Sequence, residues 1–170
     1  VGGIDNLYHS NGKKDISNYS DRKECTLQAV GGLYDVNTEN PDFQNYFIKY
    51  LNDVIACGAD GFRYDTAKHI GLSDDPQDNP DLPNNFWDRV TTEVTNADSL
   101  FMYGEVLQDG GERIADYIKK IGGTTASAYG QTIRSCLTSK SIVADTVSNY
   151  RIGNAEPNIV TWVESHDNYT

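Results

Sequence analysis

A chain of 170 residues is long enough to bury a core, and its 25 acidic against 14 basic side chains leave a net charge of −11. That balance repels polyanions and no basic stripe interrupts it, which excludes nucleic acid as a partner and leaves a solvated acidic surface, a neutral polymer or a bound cation as fitting readings. No charged segment leads into an apolar one as in a leader peptide, and no apolar run approaches the roughly 20 residues that cross a bilayer, so the residues read as soluble with no membrane partner.

Residues 1–40 are rich in Gly, Asn, Asp and Ser with little periodicity, a composition suited to irregular loop structure. Asn18-Tyr19-Ser20 has the form of a glycosylation sequon, a short pattern that also occurs by chance. Cys25, Cys57 and Cys136 lie far apart; an odd number forbids complete pairing, and no zinc-ligand spacing is present. At Asn40-Pro41-Asp42 the pattern changes to an N-cap, a proline suited to the first helical position and an acid for the first turn. Phe43, Phe47, Tyr50, Leu51, Val54 and Ile55 then recur at helical spacing, with Gly58 placed for a C-terminal stop. Cys57, at the end of that stretch, reads as a small buried residue.

Ala59–Asp65 is short enough for a buried strand. A polar excursion from Ser73 to Asn85, whose acids Asp74, Asp75 and Asp78 lack calcium-loop spacing and read as solvated surface, leads to a helix around Phe86–Thr95. Ser99–Glu105 reads as another strand, and Ile114, Tyr117, Ile118 and Ile121 mark the following helix. Thr124–Tyr129 suits a short strand, Gln131–Tyr150 helical or mixed structure, and Asn158–Glu164 a strand by its β-branched content.

Strands alternating with helices imply parallel pairing with right-handed crossovers, the α/β class. Both an open doubly wound sheet and a (β/α)8 barrel fit that rhythm. Polar residues at strand ends (Asp65, Glu105 and His166-Asp167) are the habit of the barrel, and no Gly-rich phosphate turn supports the open alternative. About four strands are visible where a complete barrel takes roughly 250 residues, so the chain is expected to be the middle-to-late part of a larger catalytic domain.

Three carboxylates on neighbouring parallel strands converge at one mouth of the sheet, where like charges cannot all ionise freely. Arg63 shares a face with Asp65 by the period of two and favours its ionised form, which suits a nucleophile. Glu105, after Tyr103-Gly104 in a more apolar setting, suits a proton donor. That division of labour is what glycoside hydrolysis requires. Acids at strand ends also cap helices, so spacing alone leaves both roles open.

The motifs narrow the choice. Gly61-Phe62-Arg63-Tyr64-Asp65-Thr66-Ala67-Lys68-His69 resembles the fourth-strand motif of the α-amylase family, Tyr103-Gly104-Glu105-Val106 the fifth-strand motif, and Glu164-Ser165-His166-Asp167-Asn168 the seventh. Gly32–Pro41 is similar to the family stretch that leads from the inserted subdomain into the third barrel helix. The stretch Gln108–Glu112 resembles the animal-type and related bacterial branch. The family's third-strand motif is expected upstream of Val1.

The resemblance implies a chain running from the third barrel helix through the seventh strand, with residues 1–40 closing the inserted loop-rich subdomain and residues 41–170 in the barrel. It implies Asp65 as nucleophile, Glu105 as general acid/base and Asp167 as the carboxylate that binds sugar hydroxyls in the transition state. Arg63 would orient the nucleophile, His166 would bond the sugar beside the cleaved linkage, and Lys68 and His69 would serve the acceptor side. The implied reaction is retaining endo-hydrolysis of α-1,4-glucans: starch, glycogen or maltodextrin. An α-glucosidase, a debranching enzyme, a transglycosylase and a non-catalytic carbohydrate-binding relative are the alternatives, the last opposed by the presence of all three carboxylates. The family also implies a structural Ca²⁺, with Asp35 giving a carboxylate and His69 its backbone carbonyl; the matching upstream asparagine is not in the chain, and the other reading of Asp35 is a cap on the turn before Pro41. Ser165 stands where chloride-activated members carry an asparagine, which argues against chloride despite Arg63. Secretion is expected from the family. Tyr129, Tyr150 and Trp162 could stack on sugars; Trp162, read as mid-strand, is expected to be buried packing.

Overall fold

The computed structural model describes residues 3–107, 112–141 and 158–168. It divides into two compact units, one formed by Val1–Phe62 with Lys68–Phe101 and the other by Arg63–Ala67 with Met102–Thr170.

The first unit begins with turns and the isolated bridges Tyr8–Val36, Asp15–Ala29 and Val30–Leu33, in line with its loop-like composition. Within it stands a helix that composition does not announce, α1 (Arg22–Leu27), started by the Asp21 carboxylate accepting from the Lys23 and Glu24 amides. The helix predicted from Pro41 is α2 (Pro41–Ala56), with the Asn40 side chain accepting from the Asp42 and Phe43 amides. Gly58 takes φ +102°, the left-handed geometry expected just past a helix end. Cys57 occupies the C-cap of α2 and is exposed, not buried as expected, because the buried stripe of the helix (Gln44, Ile48 and Leu51) stops short of its last turn.

β1 (Gly61–Tyr64) follows, then α3 (Phe86–Thr92), somewhat shorter than its predicted span. Phe43 and Phe47 of α2 meet Phe86 at ring separations of 6.4 and 5.5 Å, and Trp87 abuts Phe86 edge-on at 5.2 Å. Beneath them Gln44 is fully buried, yet its amide nitrogen donates to the Thr38 carbonyl and Asn85 while Arg89 donates to its oxygen, so no polar atom of that side chain is left unsatisfied. The acid-rich loop is not uniformly solvated. Asp75 is buried, pairs with Arg22 and accepts from the Leu72 amide, so its charge anchors the loop.

The sheet, of which the second unit holds all but Gly61, Phe62 and Phe101, is ordered β1, β2 (Phe101–Gly104), β3 (Thr124–Thr125) and β4 (Ile159–Val160). β2 pairs in parallel with β3, and β3 with β4. Between β2 and β3 lies α4 (Ile114–Ile121), which buries Ile114, Tyr117 and Ile121 and stops at Gly122 with φ +106°. Between β3 and β4 lies α5 (Ser127–Ser139), which begins earlier than sequence periodicity suggests. The predicted strands at Thr124–Tyr129 and Asn158–Glu164 shrink to two residues each. The Ala126 amide makes the last bond to the Val160 carbonyl, after which both chains leave the ladder. No helix among the described residues is long and apolar enough to cross a membrane.

Candidate active site

The three strand-end carboxylates fall in the second unit. Tyr64, the last residue of β1, is buried with its hydroxyl on the Met102 sulfur at 3.6 Å, and its carbonyl accepts from the Glu105 amide at 2.8 Å. Those contacts set Asp65 and Glu105 at the same ends of adjacent strands. Gly104 allows this: a Cβ there would stand 2.8 Å from both the Ala67 Cβ and the Ile121 Cδ1. The Val106 amide bonds the Thr125 hydroxyl at 3.3 Å and anchors the chain beyond Glu105.

Arg63 spans the two acids. Its Nη1 reaches Asp65 Oδ1 at 2.5 Å and its Nη2 reaches Glu105 Oε1 at 2.8 Å, so one guanidinium fixes the distance between them. Its partial burial opposes the charge, but the bond to Asp65 and the charges of Glu105 and Asp65 outweigh this and hold it protonated. Glu105 is buried, as its apolar neighbours suggest. Its carboxylate nevertheless lies in a polar nest, because Oε2 also accepts from the Thr66 amide at 3.2 Å. Thr66 turns that amide toward Glu105 with φ +46°, a strained value for a β-branched residue and one of the kind that collects at functional sites. Asp65 is exposed by comparison, its side chain 65% accessible against 10% for Glu105.

Asp167 lies in the short turn His166–Asn168, with His166 Nε2 3.3 Å from its Oδ2. Asp65, Thr66, Glu105 and Asp167 line one cavity of about 380 Å³, together with Gln131 and Trp162. Arg63, Glu105, His166 and Trp162 line a second of about 260 Å³. Five of the predicted residues are thus brought together. Trp162 corrects an expectation: it stands outside β4, half-buried, and lines both cavities. Its aromatic ring, suited to stacking on a sugar, is the sequence signal for that role. Gln131 and the Thr66 amide carry no sequence signal of their own. Tyr129 is half-buried, and Tyr150 and Gln108–Gly111 lie outside the described residues.

Lys68 and His69 fall in the first unit, in the single turn Ala67–His69, and both are buried. The Lys68 ammonium lies 5.5 Å over the Tyr19 ring, its carbonyl accepts from Arg22, and His69 Nδ1 is 2.9 Å from the Cys25 carbonyl. Asp35, in the same unit, is joined to His9 rather than to the turn before Pro41, which Asn40 caps. His9 Nδ1 is 2.6 Å from Asp35 Oδ2, and Nε2 is 2.5 Å from Glu39. Burial works against a charge on His9, but the bonds to Asp35 and Glu39 prevail and raise its pKa to about 9. Among the described residues no three His, Cys, Asp or Glu side chains converge as a metal cluster. Since Ca²⁺ takes six to eight oxygens, Asp35 and the His69 carbonyl supply at most part of a site.

Comparison with known proteins gives this arrangement its family. The catalytic-domain signature of the α-amylases matches residues 20–151. The α-amylase of Butyrivibrio fibrisolvens is 45% identical over 191 residues, covering 99% of this chain and 20% of that protein, and the α-amylase of Clostridium acetobutylicum is 32% identical over 164, covering 96% and 21%. The chain therefore spans about a fifth of the length of these relatives. The α-amylase of Geobacillus thermoleovorans, solved with acarbose, superposes with a TM-score of 0.61 at 29% identity over 76% of this chain and 26% of that one. The α-amylase I of Eisenia fetida superposes with a TM-score of 0.70 at 18% identity over 96% and 34%, a likeness of fold. The strands are thus part of a (β/α)8 barrel, and the chain belongs to the α-amylase catalytic-domain family.

Proposed function

We propose that the protein to which these residues belong hydrolyses internal α-1,4 bonds of starch, glycogen or maltodextrin with retention of configuration. The observation that carries the reading is the single guanidinium of Arg63 bridging Asp65 and Glu105 beside a cavity that Asp167 also lines. In this scheme Asp65 attacks the anomeric carbon as the glycosidic C–O bond breaks, and Glu105 gives its proton to the departing oxygen. Arg63 and the Thr66 amide then stabilise the carboxylate that Glu105 has become. Water adds its oxygen to the anomeric carbon and a proton to Glu105 as Asp65 departs. Asp167 holds ring hydroxyls while the sugar is cationic, and His166 bonds the same sugar. The acarbose bound by the Geobacillus relative supports an oligosaccharide as ligand.

Residues 1–40 are proposed to close an inserted subdomain and residues 41–170 to contribute to the barrel. Lys68 and His69 are proposed to serve the acceptor side. Asp35 and the His69 carbonyl are proposed as this chain's share of a Ca²⁺ site, with no chemical step routed through it.

Glu105→Gln in the full-length enzyme tests the reading. Loss of several orders of magnitude in starch cleavage with folding intact is expected, and near-normal cleavage overturns it. Products from maltoheptaose, with and without sugar acceptors, separate endo-hydrolysis from α-glucosidase, debranching and transglycosylase activity.

A further inference from the structure

We infer that Trp162 is the aromatic wall against which a glucosyl unit of the substrate rests, and that Gly130 and Arg134 of α5 are positioning residues that hold its ring. The inference deepens the functional reading above and rests on it. The indole is half-buried and borders both the cavity of Asp65, Glu105 and Asp167 and that of Arg63 and His166. It is the aromatic side chain that the two cavities share.

The hold on it comes from one face of α5. At Gly130 a Cβ would stand 2.5 Å from the Trp162 carbonyl oxygen and 3.0 Å from ring atoms Cε3 and Cζ3, so only glycine lets the helix backbone approach this closely. One turn on, the Arg134 guanidinium lies 5.8 Å from the ring centroid, and its Nη1 donates to the Val163 carbonyl. A strand ladder fixes only backbone, so the ring's orientation has to come from side-chain packing. Here β4 has already ended at Val160, and α5 supplies the restraint.

A flat, uncharged ring beside catalytic carboxylates suits the C–H face of a pyranose, whose hydroxyls the acids and Arg63 address from the edges.

The test uses the full-length enzyme carrying Glu105→Gln, so that maltohexaose binds without turnover, with affinity read by calorimetry and folding by thermal midpoint. Trp162→Leu is expected to weaken binding about tenfold, while Trp162→Phe, which keeps an aromatic face, stays within about threefold of the parent. Gly130→Ala is expected to weaken binding in the same direction as Trp162→Leu. Equal affinities for the Leu and Phe variants would mean the side chain only fills volume, and would overturn the inference. A parent that binds no maltohexaose defeats the functional reading itself. A parent that binds, with Trp162→Leu binding as tightly, defeats only the role of Trp162.

Discussion

The bridging guanidinium makes a quantitative prediction, because its two partners differ in exposure. Arg63 meets Glu105, whose side chain is 10% accessible, and Asp65, whose side chain is 65% accessible. Both contacts are short and charge-assisted, so geometry alone would rank them alike. Water screens the Asp65 pair, and an ion pair exposed to that degree is worth about 0–1 kcal/mol. The Glu105 pair is shielded, and a hydrogen bond to a charged group there is worth about 1.5–3 kcal/mol. Double-mutant cycles in the full-length enzyme, combining Arg63→Ala with Glu105→Gln or with Asp65→Asn and read by urea unfolding, should therefore give a coupling of about 1.5–3 kcal/mol for Glu105 against about 0–1 kcal/mol for Asp65. Arg63→Lys should recover little of the coupling, because a point charge cannot reach both acids as a planar fork does. A larger coupling to Asp65, or none to either, would refute the account of how the site is held.

Other residues give further tests. Gly61 lies against β2, where a Cβ would clash with the Phe101 carbonyl oxygen and stand 2.8 Å from its carbon; Gly61→Ala should cost about 1–3 kcal/mol by thermal unfolding, and a neutral result would disprove that close approach. Thr66→Gly relieves the φ of +46° while keeping the amide on Glu105, so it should leave stability equal or up to about 1 kcal/mol higher, whereas a clear loss would mean the threonine side chain is needed. If Asp35 serves a Ca²⁺ site, chelation should lower the thermal midpoint of the full-length enzyme and added Ca²⁺ should restore it, with Asp35→Asn blunting the restoration; equal recovery in the variant would remove Asp35 from the site.

Much of this was legible in the chain, and the limits have physical causes. α2 was clear because cap, proline, stripe and terminal glycine all agree over sixteen residues. Arg63, Asp65 and Glu105 are legible because the period of two puts Arg63 on the face of Asp65 and because the segments around Asp65 and Glu105 resemble the family's fourth- and fifth-strand motifs. The helix α1 was missed because six residues started by one aspartate carry too little periodicity. Asp75 was misread as solvated because its partner, Arg22, lies 53 residues away and nothing local announces the pairing. His9 likewise carries no local sign of its partners Asp35 and Glu39, 26 and 30 residues distant. Trp162 falls outside the strand that its β-branched neighbours favour: the ladder makes its last bond from Ala126 to Val160, and α5 packs on the ring.

The measurement closest to the heart of the account is capture of the covalent intermediate. A fluorinated α-glucosyl fluoride, slow to hydrolyse once attached, would be reacted with the full-length enzyme and the labelled peptide sequenced by mass spectrometry. The account predicts one glycosyl group esterified to Asp65, with labelling abolished by Asp65→Asn. A label on any other carboxylate, or full turnover with no covalent species and an inverted product, would contradict it.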